Sequence, residues 1–136
     1  TTDLVTAVKG ADTIIVAAPA FAHAYFSEQL AALLEPGQLV VFQPGVLGSS
    51  LELARHFALA QRRPCLIAET ATSLYTCRLR CPAKVFIGAI KQAVPLATIP
   101  HAACQEALAR LSPYFGNRYV DGTDTLSVGL GNCNAI

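Results

Sequence analysis

At 136 residues the chain has room for one domain or slightly more. With 53% hydrophobic and 14% charged residues it can bury a large core, which excludes a disordered tail or linker. A net charge of +1 without a basic run offers no surface for nucleic acid. No apolar stretch approaches the roughly 18 residues of a membrane span, and Thr1-Thr2-Asp3 lacks signal-peptide architecture.

The first element is a short amphipathic helix, Asp3–Lys9, closed by Gly10. Thr13–Ala18 follows as a β-branched, continuously apolar run, the pattern of a parallel strand covered on both faces. Pro19 ends it. Phe26, Leu30, Leu33 and Leu34 then share one helical face, and Pro36-Gly37 breaks the helix. The cycle repeats with the strand Leu39–Phe42, the turn Gln43-Pro44-Gly45, a capping-box start at Ser49 and Glu52, and a helix over Leu51–Gln61. Cys65–Ala68 is the third strand. Strands alternating with helices predict βαβ units and a parallel sheet.

After Arg78 the rhythm changes. Lys84–Ile90 and Val94–Thr98 are separated by so few residues that they predict an antiparallel hairpin, with Pro95 placing the second strand near a sheet edge. A helix through Cys104, Leu108 and Leu111 is expected to stop at Pro113. Tyr119-Val120 is a short strand, and a last segment begins near Asp121–Asp124.

Five cysteines at 65, 77, 81, 104 and 133 form no C-x-x-C pair, so neither a disulfide framework nor a zinc site is expected and a reducing cytoplasm fits best. The chain has no methionine and stops at Asn134-Ala135-Ile136 without a breaker or polar tail. It reads as an internal piece of a longer protein.

The densest chemistry is Glu69–Arg78, which follows the third strand with an acid, a base, three threonines, a serine, a tyrosine and a thiol. In an open α/β sheet, ligands bind in the crevice outside the strand carboxyl ends. Three such ends are present: Ala18–His23, Gln43-Pro44-Gly45 and Glu69-Thr70. No G-x-G-x-x-G occurs. The fold expectation is therefore the C-terminal part of a Rossmann-type doubly wound sheet with a short antiparallel addition, leading into a helical domain. Residues 1–122 would be the dinucleotide-binding part and 123–136 the start of the helical domain.

Gly10-Ala11-Asp12, Ala18–His23, the Pro44-Gly45 turn, Glu69-Thr70-x-Thr72-x-x-Tyr75-x-Cys77-Arg78 and Asn132-x-Asn134-Ala135 together resemble the opine dehydrogenases, the octopine/nopaline dehydrogenase family. The resemblance runs over nearly the whole chain, and its most specific part is the Glu69–Arg78 motif. It implies an enzyme that reversibly condenses an α-keto acid with the amine of an amino acid, using NAD or NADP. Its partners would be those small molecules, with no nucleic acid or membrane and with room for a homodimer.

Carried over by position, Pro19, Ala20 and Phe21 would flank the cofactor's phosphate and ribose. Pro44 and Gly45 would approach the nicotinamide, where a missing side chain permits close contact, and Glu69 and Thr70 complete the cofactor edge. Thr72, Tyr75, Cys77, Arg78 and Asn132 would line the substrate side. Where the family has asparagine before Pro-Gly, this chain has Gln43. The family's catalytic histidine follows Asn-x-Asn-Ala in a His-Pro pair, which places it beyond Ile136. No catalytic residue is therefore assigned within the chain, and the isolated segment is expected to be inactive.

Residue by residue, plainer roles stand beside these. Arg78, with Arg80 and Lys84, reads equally as a solvated basic face or as a carboxylate clamp. Cys77 suits packing, Glu69 could hold loop amides, Tyr75 could cap a core, and His23 reads as a surface or capping residue. Gly129 and Gly131 suit either a loop or close packing. Two rival functions remain: a ketopantoate-reductase-like or glycerol-phosphate-dehydrogenase-like enzyme, and a noncatalytic Rossmann-like interaction module.

Overall fold

The first three apolar runs, Thr13–Val16 (β1), Leu39–Phe42 (β2) and Leu66–Thr70 (β3), are neighbouring parallel strands in the computed structural model, which describes residues 1–131. Every residue of β2 and β3 is buried, which is why Leu39–Phe42 and Cys65–Ala68 read as continuous apolar runs, with Glu69 and Thr70 extending β3 beyond its apolar part. Leu4–Val8 (α1) precedes β1. His23–Leu33 (α2) and Ser49–Leu59 (α3) supply the crossovers and cover one face through Leu30, Leu34, Leu53 and Phe57.

The second half of the sheet differs from the expected hairpin. Tyr75–Cys81 (β4) pairs with Lys84–Ile90 (β5) in a separate two-stranded ribbon. Val94–Ile99 (β6) instead enters the main sheet antiparallel to β3, and Tyr119–Asp121 (β7) runs parallel to β6. The tight turn opposing Cys81 to Lys84, with Ala83 at φ 59, closes the ribbon. The link after Ile90 carries the chain back to the sheet, and the Lys91 amide donates to Leu74 O at 3.0 Å. Pro95 is consequently in a strand flanked by β3 and β7, not at an edge. Its carbonyl accepts from the Ala71 amide at 2.9 Å, where the chain is already leaving β3.

The sheet order β1-β2-β3-β6-β7 grows in one direction while the last two strands run opposite to the first three. A right-handed crossover must then place the connecting helix on the other face. Cys104–Phe115 (α4) lies there, burying Cys104, Ala107 and Leu111 against Leu39, Val41, Leu96 and Tyr119. Pro113 falls inside the last turn of α4 and does not stop it. Its absent N–H would have served Ala109 O, which accepts from the Ser112 hydroxyl at 3.1 Å instead. A final helix, Thr125–Leu130 (α5), is capped by Asp124 and packs on β3 and β6.

The C-terminal end of α2 is held from a distance. Arg62 donates to Ala31 O and, at 3.0 Å, to Leu34 O, carbonyls the helix leaves unpaired. Arg62→Ala is expected to destabilise the fold by about 2 kcal/mol, as loss of hydrogen bonds to a charged group does. The urea midpoint is the check, with an unchanged m-value. Among the described residues no helix is long and apolar enough to cross a membrane, and no cluster of metal-ligating side chains occurs.

Candidate functional site

Parallel pairing brings the carboxyl ends of β1, β2 and β3 to one edge. The turn after β1 exposes Pro19 and Ala20, and the Phe21 ring is 87% exposed. An apolar ring left in solvent on this edge is a wall without a partner among the described residues.

The turn after β2 is pressed against the end of β3. Gly45 is buried, and its amide donates to Thr70 O at 2.8 Å. A Cβ there would meet Glu69 Cβ at 2.8 Å and Thr70 O at 2.9 Å. The glycine is therefore required by this backbone contact, whatever lies over the edge. Pro44 stays half-buried beside it.

Glu69 and Thr70 are fully enclosed and bonded within the protein. Thr70 Oγ1 donates to Phe42 O at 3.3 Å and Thr72 O at 3.1 Å, tying β2 to the turn after β3. Glu69 Oε2 accepts from the Ser50 amide at 2.8 Å, in the first turn of α3. Its Oε1 has no partner among the described residues, and burial raises its pKa above the ordinary 4.5. The expected capping box is thus replaced. Gly48, at φ 92, is the N-cap of α3, and Glu52 pairs with Arg55 at 2.8 Å, so an acid 19 residues away serves the helix amide.

His23 departs from its expected surface role. It is 5% exposed, with Nδ1 2.7 Å from Ser49 Oγ and Nε2 donating to Ala18 O at 3.0 Å. Its ring locks the β1 turn to the start of α3. With both ring nitrogens engaged, this is a positioning contact for the edge.

On the other face, the Tyr119 hydroxyl donates to Gln43 Oε1, so the residue that departs from the family pattern is held by a partner in β7. Burial, and then the neighbouring Tyr75, push the Tyr119 phenol up to about 12. It is a neutral donor at any physiological pH.

Glu69–Arg78 divides into three parts. Glu69 and Thr70 end β3, Ala71–Leu74 turn, and Tyr75–Arg78 begin the β4–β5 ribbon, every residue of which is exposed. Among the described residues, Thr72 alone of those expected on the substrate side lines a cavity of about 450 Å³, with Lys91, Pro95, Asp121, Gly122, Thr123 and α5. Cys77 and Arg78 stand on the ribbon away from it, and Arg78 Nη1 donates to Cys77 O at 2.9 Å. Cross-strand pairing puts Tyr75, Cys77, Leu79, Val85, Ile87 and Ile90 on one ribbon face, while Arg80 stacks 4.9 Å above Phe86 on the other. Asn132 lies outside the described residues.

Lys91 and Asp121 were not anticipated. A lone cation in the short link between two strands was the available signal for Lys91; Asp121 offered none. Of the two glycines weighed for the last segment, Gly129 packs closely: a Cβ would meet Leu47 Cδ1 at 2.7 Å and Leu47 Cα at 3.1 Å, so α5 rests on the turn after β2. Gly122 is also confined, by the Val128 side chain and by Leu96 N and O at 3.2 Å. Gly122→Ala is expected to displace α5, lowering the melting temperature by roughly 5 °C for a cost of about 1–2 kcal/mol.

No family model matches the chain. It is 34% identical over all 136 residues to an opine dehydrogenase of Arthrobacter sp. (strain 1C), and it spans 38% of that protein's length. A solved octopine dehydrogenase with NADH and L-arginine superposes with a TM-score of 0.83 at 21% identity, over 97% of this chain and 34% of the other. An octopine dehydrogenase with NADH and pyruvate gives 0.79 at 20% identity, with the same coverage. A yersinopine dehydrogenase with NADP+ bound gives 0.67 at 19%, over 89% of this chain and 30% of the other. These structural likenesses establish the fold: a mostly parallel Rossmann-type sheet with a small antiparallel addition.

Proposed function

We propose that the chain, 34% identical along its length to an opine dehydrogenase, supplies the cofactor edge and one substrate wall of an NAD(P)H-dependent oxidoreductase that reductively condenses an α-keto acid with an amino acid amine. The 34% identity along the entire chain carries this reading. The solved relatives' ligands, NADH, NADP+, pyruvate and L-arginine, support the choice of cofactor and substrate class. We place the boundary between the dinucleotide-binding part and a helical substrate domain near residues 122–123.

The edge suits a dinucleotide. Exposed Pro19, Ala20 and Phe21 give an apolar wall, and the Gly45 turn lies flat against β3, leaving the strand ends unobstructed. Pro19, Ala20 and Phe21 would hold the phosphate and ribose region, and Pro44 with Gly45 the nicotinamide end. The bound nicotinamide supplies a hydride. Glu69, Thr70 and His23 act beneath this surface, holding the turns after β1, β2 and β3 at fixed heights. Thr72 and Tyr75 face the substrate side, and Cys77 and Arg78 approach from the exposed ribbon. Both nitrogens of His23 are engaged, so it has no free position for proton transfer.

The test is NADH and NADPH oxidation by the intact protein with pyruvate and a panel of amino acids. Turnover dependent on both a keto acid and an amine is expected. Reduction of a keto acid without amine would favour the ketopantoate-reductase-like alternative, and no turnover with any pair would reject the reading.

A further inference from the structure

The cavity beside the end of β3 contains two opposite charges that do not meet. Lys91 is half-buried, its backbone fixed by the bond to Leu74 O at 3.0 Å. Its ammonium donates to Thr72 Oγ1 at 2.6 Å. No carboxylate lies within 4.0 Å of it among the described residues, where the ion pairs are Arg55–Glu52, His56–Glu52 and Arg110–Glu106. An ammonium has three donors, and a neutral hydroxyl satisfies one without offsetting its charge.

Asp121 lines the same cavity from the end of β7. Its Oδ1 accepts from the Thr123 amide at 2.8 Å, and its carboxylate also neighbours the buried Cys104 thiol at the start of α4. The turn that aims it is constrained. Thr123, a β-branched residue, adopts φ 75, and the Gly122 amide donates to Leu96 O at 2.8 Å. Left-handed backbone is costly for such a side chain and persists where the surroundings enforce it. Ala71, Pro95 and Val128 make the remaining walls largely apolar.

We propose that this cavity seats the amino acid substrate as a zwitterion, Lys91 binding its α-carboxylate and Asp121 its ammonium group. About 450 Å³ falls within the usual range for small-ligand cavities. Opposite charges on separate walls orient a dipolar molecule, and a keto acid, which has no cation, would leave Asp121 unanswered. Thr72 gains a specific role, steering the Lys91 ammonium. The inference rests on the proposed function for its choice of ligand.

The experiment uses the intact protein with NADH, pyruvate and an amino acid that the wild type turns over. Lys91→Met keeps the apolar stem and removes the charge; Asp121→Asn keeps the shape. Each is expected to raise KM for the amino acid at least tenfold, with KM for pyruvate and the NADH dissociation constant within twofold. Unchanged amino acid KM in both variants, or a rise falling on pyruvate instead, would overturn the proposal. If the wild type turns over no pair, the proposed function fails and calorimetry decides this inference alone. Amino acid binding to wild type that is lost in Lys91→Met would sustain it; no binding to wild type would overturn it.

Discussion

Gly45→Val should destabilise the fold by about 3 kcal/mol or more and abolish cofactor binding in whatever fraction still folds. A Cβ alone would lie 2.8 Å from Glu69 Cβ, 2.9 Å from Thr70 O and 3.3 Å from Thr70 N. Two of these contacts are with backbone, which cannot swing aside as a side chain does, so the turn itself must lift from β3. Lifting it breaks the Gly45 amide bond to Thr70 O and drags Val46, whose amide donates to Ser49 Oγ at 3.1 Å. Ser49 is also the partner of His23, so the disturbance reaches the turn after β1. Overpacking of this kind typically costs 1–3 kcal/mol, and the backbone contacts place it at or above the top of that range. Urea unfolding of the variant, with NADH fluorescence titration alongside, measures both effects. Wild-type stability with wild-type NADH affinity would show that the turn does not need its contact with β3.

Glu69→Ala should cost about 2–3 kcal/mol, because it strands the buried Ser50 amide at the start of α3 and leaves a hole below the β2 turn. Glu69→Gln separates charge from shape, since an amide oxygen can still accept from Ser50. Its pH dependence gives the sharper result. Burial raises the folded pKa of Glu69 above the unfolded value of 4.5. Its contribution is therefore complete below about pH 4.5 and fades as pH rises through the folded value, because the folded state must then carry a buried charge. Asp3, Asp124 and Glu52 are shifted down by hydrogen bonds to Thr6, Ser127 and Arg55, so their contributions are lost only at more acid pH. Between pH 4.5 and neutrality the wild type should lose stability relative to Glu69→Gln. A difference between the two that does not vary with pH would contradict the buried-carboxyl account.

The parallel half of the sheet was legible because Ile14–Ala18, Leu39–Phe42 and Cys65–Ala68 are uninterrupted apolar runs between proline and glycine turns, although β1, the outer strand, is not covered on both faces as expected and leaves Ile15 39% exposed. The antiparallel half was not. In Tyr75–Cys81 the arginines alternate with Cys77, Leu79 and Cys81, a period-two pattern obscured by the polar residues just before it. Chain proximity suggested pairing β5 with β6, whereas the two-residue turn at Pro82-Ala83 pairs β5 with β4. Pro113 and the Ser49/Glu52 pair misled for one reason. Local rules assign a missing donor or a helix amide to near neighbours, and here Ser112 and the distant Glu69 fill those roles.

For the site, sequence pattern located the edge but not what holds it. Gly45 was expected to admit a ligand, and its nearest neighbours are Glu69 and Thr70. His23 looked peripheral because nothing in its own segment reveals Ser49 as a partner 26 residues away. Lys91 and Thr72 meet across 19 residues through a ribbon whose path the sequence did not disclose. Contacts of this range arise from the fold and leave no local signature.

The central claim is that the carboxyl edge of β1, β2 and β3 receives the dinucleotide. Amide hydrogen exchange of the intact protein with and without NADH tests it most directly. The account predicts added protection at residues 18–22, 43–47 and 70–74, with little change at the opposite edge around Gly10–Asp12, Glu35–Gln38 and Arg62–Cys65. Protection confined to that opposite edge, or none at the three turns under saturating NADH, would contradict it.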